Sequence, residues 1–350
     1  MRYIKSYNNT ADLRTDLAAG GLGHPYVAKV NNTIDFDSIS TNWENEYFTI
    51  IALTDGTISY SHKEGSNPMF YSINEGEWVE TTVSVDIPVS KNDMIRFKSN
   101  RGNQAYNNNK GTFTSGGTAQ FAVAGNLMSL VAGDNFATYV PYTSATESNG
   151  DLYRSFKYFF RYCTGLISAK NLIIKYCDND AFREFFRGCI NLLMPPELPA
   201  TTLANNCYQN MFRGCTSLTT APVLPATTLA DWCYSNMFDG CTSLTKAPVL
   251  PATTLVDSCY QNMFFKCSSL TTAPVLPATT LANYCYWSMF CLCTSLNYIK
   301  CLATDISANK CTDSWVYGAA STGTFVKNSN MTSWTEGNSG IPLGWTIINA

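Results

Sequence analysis

One phrase returns along this chain at a fixed interval, and that interval restricts the fold more than any other feature. Cys207, Cys233, Cys259 and Cys285 follow one another at 26 residues, and Met211-Phe212, Met237-Phe238, Met263-Phe264 and Met289-Phe290 keep the same step. So do Cys215, Cys241, Cys267 and Cys293. Counting back from Cys215 reaches Cys189 behind Phe185-Phe186, and then Cys163 behind Phe159-Phe160. Counting forward from Cys285 reaches Cys311, with Trp315-Val316 in place of Met-Phe. A constant period with altered terminal copies implies stacked repeats closed by caps, because one copy alone cannot bury its apolar side.

On a helical wheel at about 100° per residue, Leu203, Ala204, Cys207, Tyr208, Met211, Phe212 and Cys215 fall on one side. Asn205, Asn206, Gln209, Asn210 and Arg213 fall on the other. This predicts an amphipathic helix over 203–215, capped by Thr201 or Thr202 and ended near Gly214. The run Thr219-Thr220-Ala221-Pro222-Val223-Leu224-Pro225 predicts a short strand at 217–221 and an extended, proline-bounded return.

All 14 cysteines lie at or after Cys163, within the repeats and the segment that follows. Cys207 and Cys215 would stand about 12 Å apart along one helix, and equivalent residues on stacked helices roughly 8–10 Å apart. Both exceed the ~7 Å that a disulfide tolerates. No Cys-x-x-Cys pair occurs and the chain has only two histidines, so no zinc site is expected. The thiols read as small core side chains.

The repeat resembles the BspA-type leucine-rich repeats of Bacteroides-like bacteria and their phages. The likeness is carried by Cys-Tyr-x-x-Met-Phe-x-x-Cys-Thr-Ser-Leu-Thr and Ala-Pro-Val-Leu-Pro-Ala-Thr-Thr-Leu-Ala. It also extends to Cys301-Leu302-Ala303-Thr304, Gly323-Thr324-Phe325-Val326-Lys327 and Gly340-Ile341-Pro342-Leu343-Gly344-Trp345. The resemblance implies an adhesion or interaction module. The opening, with Leu22-Gly23-His24-Pro25-Tyr26-Val27 and Ile34-Asp35-Phe36-Asp37, is similar to the starts of structural proteins from gut bacteriophages.

Ahead of the repeat, apolar and β-branched runs predict strands at 47–53, 57–60, 69–73, 78–89, 94–98 and 119–124. Asp55-Gly56 and Gly116-Gly117 between them suggest tight hairpins. The segment 100–111 reads as an Asn-rich loop, either a long solvated connection or an exposed contact surface, and 126–131 as the seal against the repeats. The expected fold class is therefore α+β: a β-sandwich-like domain followed by a leucine-rich-repeat α/β solenoid of 26-residue repeats. The expected divisions are an N-terminal arm or docking segment (1–43), the β domain (44–135), the solenoid (136–316) and a C-terminal cap (317–350).

A net charge of −3 with 14% charged residues gives no electrostatic footprint for nucleic acid. No apolar run is long enough to cross a bilayer, and the first residues carry no secretory h-region. Neither His24 nor His62 adjoins a nucleophile motif, no phosphate-binding glycine loop follows a strand, and the carboxylates show no glycosidase pairing. No cofactor and no metal are expected, and the chain reads as a binder rather than an enzyme.

Three functions compete. The first is a virion structural or adhesion protein, a head or tail fibre or decoration protein, made in the host cytoplasm and held by its arm to other virion proteins. It would display the repeats to host-surface or mucosal glycans or proteins, with a homotrimer implied by analogy with fibres. The second is a bacterial cell-surface adhesin, and the third a carbohydrate-active enzyme. Outer positions that change between copies nominate the contact residues: Trp232, Tyr284 and Trp287, with Asn205, Gln209, Asp231 and Gln261. Exposed aromatics beside amides suit stacking on sugar rings.

Overall fold

In the computed structural model, residues 4–7, 27–30, 33–35, 43–62, 67–99, 111–113, 117–141 and 152–350 are described. Strands β1 (Ile4–Tyr7), β2 (Val27–Val30) and β3 (Thr33–Asp35) form a small sheet in the expected arm, whose other residues, apart from the buried Trp43, lie outside the described ones. The next strands are β4 (Phe48–Ala52), β5 (Gly56–Tyr60), β6 (Met69–Ile73), β7 (Val79–Thr81), β8 (Val85–Val89), β9 (Met94–Lys98) and β10 (Phe121–Asn126). They fall where alternating and β-branched runs place them, but their pairing differs from the hairpin reading. Gly56 lies inside β5 rather than in a tight turn, and β5 pairs with β8, Gly56 opposite Val89 and Tyr60 opposite Val85, not with β4. The Asn-rich connection over 100–110 lies outside the described residues.

Strand β11 (Leu166–Ile173) comes from the first repeats and pairs in parallel with β10. The six-stranded sheet therefore runs β11-β10-β4-β9-β6-β7, joining the two halves of the chain. One core continues across that joint. Phe48 packs on Phe97 and Phe160, and Phe113 stacks on Phe160 at 5.6 Å. Leu127, Met128, Leu130 and Val131 are buried at the same place, around the four-residue helix α1 (Ser129–Ala132).

The expected α/β leucine-rich-repeat solenoid behind a separate sandwich is overturned. Helix α1 is the α-helix among the described residues, and it lies outside the repeat. Each repeat is instead a run of linked turns. Within one copy, Cys207, Gln209, Met211, Arg213 and Cys215 donate their N–H groups to the carbonyls three residues back. The alternate residues Asn206, Tyr208, Asn210, Phe212 and Gly214 donate to the next copy, at Asp231, Cys233, Ser235, Met237 and Asp239. An α-helix would spend all of these donors on itself, four residues back.

The backbone cause is a left-handed residue at every fourth position: Asn206 at φ 56°, Asn210 at 57° and Gly214 at 74°. Right-handed helix cannot pass through such residues. Gly214 and its counterparts Gly188 and Gly240, all at φ 74°, are left-handed turn positions rather than the predicted helix end. The predicted caps Thr201 and Thr202 have no helix to cap. The strand expected at 217–221 is reduced to one isolated bridge, Thr220 to Lys246.

Four residues per step put two side chains inward and two outward. Cys207-Tyr208 and Met211-Phe212 point in, with Cys215 after them, and all five are at 0% exposure. Stacked copies then align identical rings: Phe212 on Phe238 at 5.7 Å and 3°, Tyr234 on Tyr260 at 5.9 Å and 5°. Such spacings lie in the favourable range for aromatic pairs.

All fourteen cysteines are free, and every one except Cys177 is buried. Those of the Cys215 row donate S–H to the carbonyl of a phenylalanine in the preceding copy: Cys215 to Phe186 at 3.1 Å, Cys241 to Phe212 at 3.1 Å, Cys293 to Phe264 at 2.9 Å. Burial pushes the Cys163, Cys233 and Cys293 thiols up to about 12, so they stay protonated and unreactive near neutrality.

At the far end, β12 (Tyr298–Cys301), β13 (Thr324–Lys327) and β14 (Thr346–Asn349) form a parallel sheet. Trp315 takes the place of the repeated methionine, stacks on Trp334 at 5.5 Å and donates its indole N–H to the Gly340 carbonyl at 2.7 Å. Among the described residues, no helix is long and apolar enough to cross a membrane.

Candidate binding face

The outward pairs of each turn run build a face of three rows, one four-residue step apart. Its first row begins Asn179, Asn205, Asp231, Asp257, Asn283, Asn309. Here the amides serve the backbone. Asn179 Oδ1 accepts the Asn205 N–H at 2.9 Å, Asn205 Oδ1 accepts that of Asp231 at 3.1 Å, and Asn283 Oδ1 accepts that of Asn309 at 3.0 Å. This ladder explains why short amides and carboxylates occupy the row, since only their oxygens reach a neighbouring N–H at that distance. Asn205 is thus engaged with the next copy, while Asp231 remains exposed.

The middle row holds Arg183, Gln209, Ser235, Gln261 and Trp287. Gln209 and Gln261 are 8% and 7% exposed, deeper than the wheel placed them, because the four-residue period folds the middle row against its neighbours. Their side-chain carbonyl oxygens, and that of Asn210, have no hydrogen-bond partner among the described residues. A buried acceptor left unpaired costs about 1–3 kcal/mol, and these oxygens lie beneath the face rather than on it.

The three aromatics flank that strip in different ways. Trp232 is 39% exposed at a left-handed residue, φ 59°. Tyr284, two copies further on in the same row, is half-buried and takes a hydrogen bond on its hydroxyl from Asn309 at 2.9 Å. Trp287 packs on Tyr284 with ring centroids 5.6 Å apart at 55°. Trp287 also follows Gln261 directly, since the Asn262 N–H donates to the Trp287 carbonyl at 2.9 Å. The structure therefore brings Gln261, Tyr284 and Trp287 together in adjacent copies, with Trp232 and Gln209 toward the other end.

Two features escaped the sequence reading. A groove of about 570 Å³ lies among the proline-bounded returns, lined by Lys170, Met194, Pro196, Leu198, Pro222 and Val223. None of the seven nominated residues lines it. The second is a cluster of arginines on the outer face of the first copies, where Asp180 and Glu184 each pair with two guanidinium groups. The signal was present in Arg161, Arg187 and Arg213, one 26-residue step apart, but a helical wheel spreads their neighbours around the cylinder. No group of three or more metal-binding side chains occurs among the described residues.

Compared with protein-family models, with curated proteins and with solved structures, the chain gives no match.

Proposed function

We propose that this chain is a non-catalytic adhesion protein, carried on a virion, whose outer turn face binds hydroxyl-rich glycans of a host surface or mucus. The observation that carries this reading is the aromatic rim of the face, Trp232 at 39% exposure and the Tyr284–Trp287 pair with ring centroids 5.6 Å apart. Sugar C–H faces rest on aromatic rings, and the exposed Asp231 beside Trp232 can accept from sugar hydroxyls. The virion setting is supported by the resemblance of the opening residues to phage structural proteins, and attachment to the particle would fall to residues 1–43.

Binding of the full chain to immobilised mucin and to a panel of neutral glycans tests the face. Replacing Trp232, Tyr284 and Trp287 together with Ser is expected to abolish neutral-glycan retention while shifting the melting temperature by a few degrees at most. Parental retention by the triple variant would move the site elsewhere.

A further inference from the structure

Charge is distributed unevenly along the outer face. In the first three copies, over 153–214, the outward positions carry Arg154, Lys157, Arg161, Arg183, Arg187 and Arg213 against Asp180 and Glu184. Asp178 of the same copies is buried at 0% exposure, with an oxygen accepting the Leu152 N–H at 3.2 Å. In the later copies, over 231–318, the balance reverses: Lys266 and Lys310 face Asp231, Asp239, Asp257 and Asp313.

The arrangement at the basic end is layered. Asp180 accepts from Arg154 and Arg183, both at 3.2 Å; Glu184 accepts from Arg187 at 2.8 Å and forms an ion pair with Arg161 at 3.2 Å. Both carboxylate side chains are 8% exposed, whereas the four arginine side chains are 24–37% exposed. Each acid fixes two cations and neutralises one, leaving oriented N–H donors and excess positive charge at the surface. Arg213 extends the row, held by Asp239 at 2.8 Å. Tyr162, largely exposed, lies beneath Arg161 at 4.8 Å and beside Arg187 at 5.8 Å, which stiffens the row further.

We infer that this end of the face binds a linear anionic polysaccharide, through its carboxylate or sulfate groups. Guanidinium forks match planar and tetrahedral oxyanions in bidentate fashion, and a row spaced by one repeat meets a chain whose charges recur at short intervals. An anionic glycan suits the site better than nucleic acid, because the positive charge is confined to three copies of an otherwise acidic chain. The inference rests on the outer face being the binding surface and assigns its basic end a ligand class of its own.

Isothermal titration of the full chain with heparin, polygalacturonate, neutral dextran and single-stranded DNA tests it. Heparin and polygalacturonate report sulfate and carboxylate recognition separately. The parent is expected to bind at least one of them, more weakly as salt rises from about 0.05 to 0.5 M, and to ignore dextran at this end. The variant Arg154→Gln/Lys157→Gln/Arg161→Gln leaves Asp180 with Arg183 and Glu184 with Arg187, so it should fold. It is expected to bind the anionic glycan roughly tenfold more weakly and to keep neutral-glycan retention at Trp232, Tyr284 and Trp287. Parental affinity in this variant, no binding of either anionic glycan by the parent, or tighter binding of DNA than of both would overturn the inference. If the Ser variant of the three aromatics keeps all its binding while the glutamine variant loses the anionic glycan, the aromatic site fails and the basic end stands.

Discussion

The sheet of β4 to β10 and the stacked repeats share one core, yet they solve the backbone problem differently. In the sheet, Ile50 and Ile95 face each other across an ordinary antiparallel ladder, and extended residues with β-branched side chains suffice. In the repeats, N–H donors alternate between their own copy and the next, and a left-handed residue is needed at every fourth position. The first solution tolerates a local pattern; the second demands the same pattern in every copy. The contrast extends to chemistry, since every cysteine lies in the repeats or the segment after them and none in the sheet strands β4 to β10.

Alkaline pH should break the comparison most visibly. An unfolded thiol titrates near 9, whereas folded Cys163, Cys233, Cys293 and Cys301 are held up to about 12 by burial. Below pH 9 the folded and unfolded chains hold these protons alike. Between the two values the unfolded chain has lost protons that the folded chain keeps, so stability falls as pH rises, by about 1.4 kcal/mol per pH unit for each thiol. Four such thiols exhaust ordinary domain stability within one or two units. Hydrogen exchange is expected to show protection lost first at the repeats, above pH 9, and retained longer in β4 and β9. Protection of the repeats persisting to pH 12 would contradict the burial of the thiols.

Phe238→Ala should come next in size. It removes a ring stacked on Phe212 and Phe264, both at 5.7 Å, and should cost about 3–5 kcal/mol in chemical denaturation. Ile50→Val in the sheet should cost about 0.5–1.5 kcal/mol. A cost below about 2 kcal/mol for Phe238→Ala would contradict its packing between Phe212 and Phe264.

The sharpest test has the smallest effect and rests on sign. Lys266 stands at φ 60° in the row of Gly188, Gly214 and Gly240. Relief of left-handed strain, about 1–2 kcal/mol, outweighs the added freedom of an unfolded glycine, about 0.4–1 kcal/mol. Lys266→Gly should therefore stabilise the protein by roughly 0.5–1 kcal/mol. In a helix the same change would cost about 1 kcal/mol. A lowered denaturation midpoint would restore the helical reading of the repeat.

The strands ahead of the repeat were legible because short runs rich in apolar and β-branched residues are bounded by turn residues. Their partners were not, since pairing β5 with β8 depends on contacts far apart in sequence. The repeat was legible in its 26-residue step and misread in its conformation. Across 203–215 a period of four and one of 3.6 differ by less than half a residue per turn, so the wheel collects the same side chains on one side either way. The discriminating signal was local: Asn206, Asn210 and Gly214, residues that accept positive φ, at a spacing of four. The aromatic part of the candidate face was visible as variation between copies. The structural duty of Asn205 was not legible, because it accepts the next copy's N–H and no single copy displays that bond.

The alternation of donors makes length a separable property of this molecule. Tyr208 bonds to Cys233, Tyr234 to Cys259 and Tyr260 to Cys285, all at 3.1 Å, so the lower rim of any copy fits the upper rim of any other. Excising or duplicating one 26-residue unit shortens or lengthens the stack without making a new kind of joint. What changes is the order of characters written on the outside: cations first, amides next, aromatics last. Exchange of whole units would reorder those characters, as text is edited by whole lines, while the frame that carries the text stays the same.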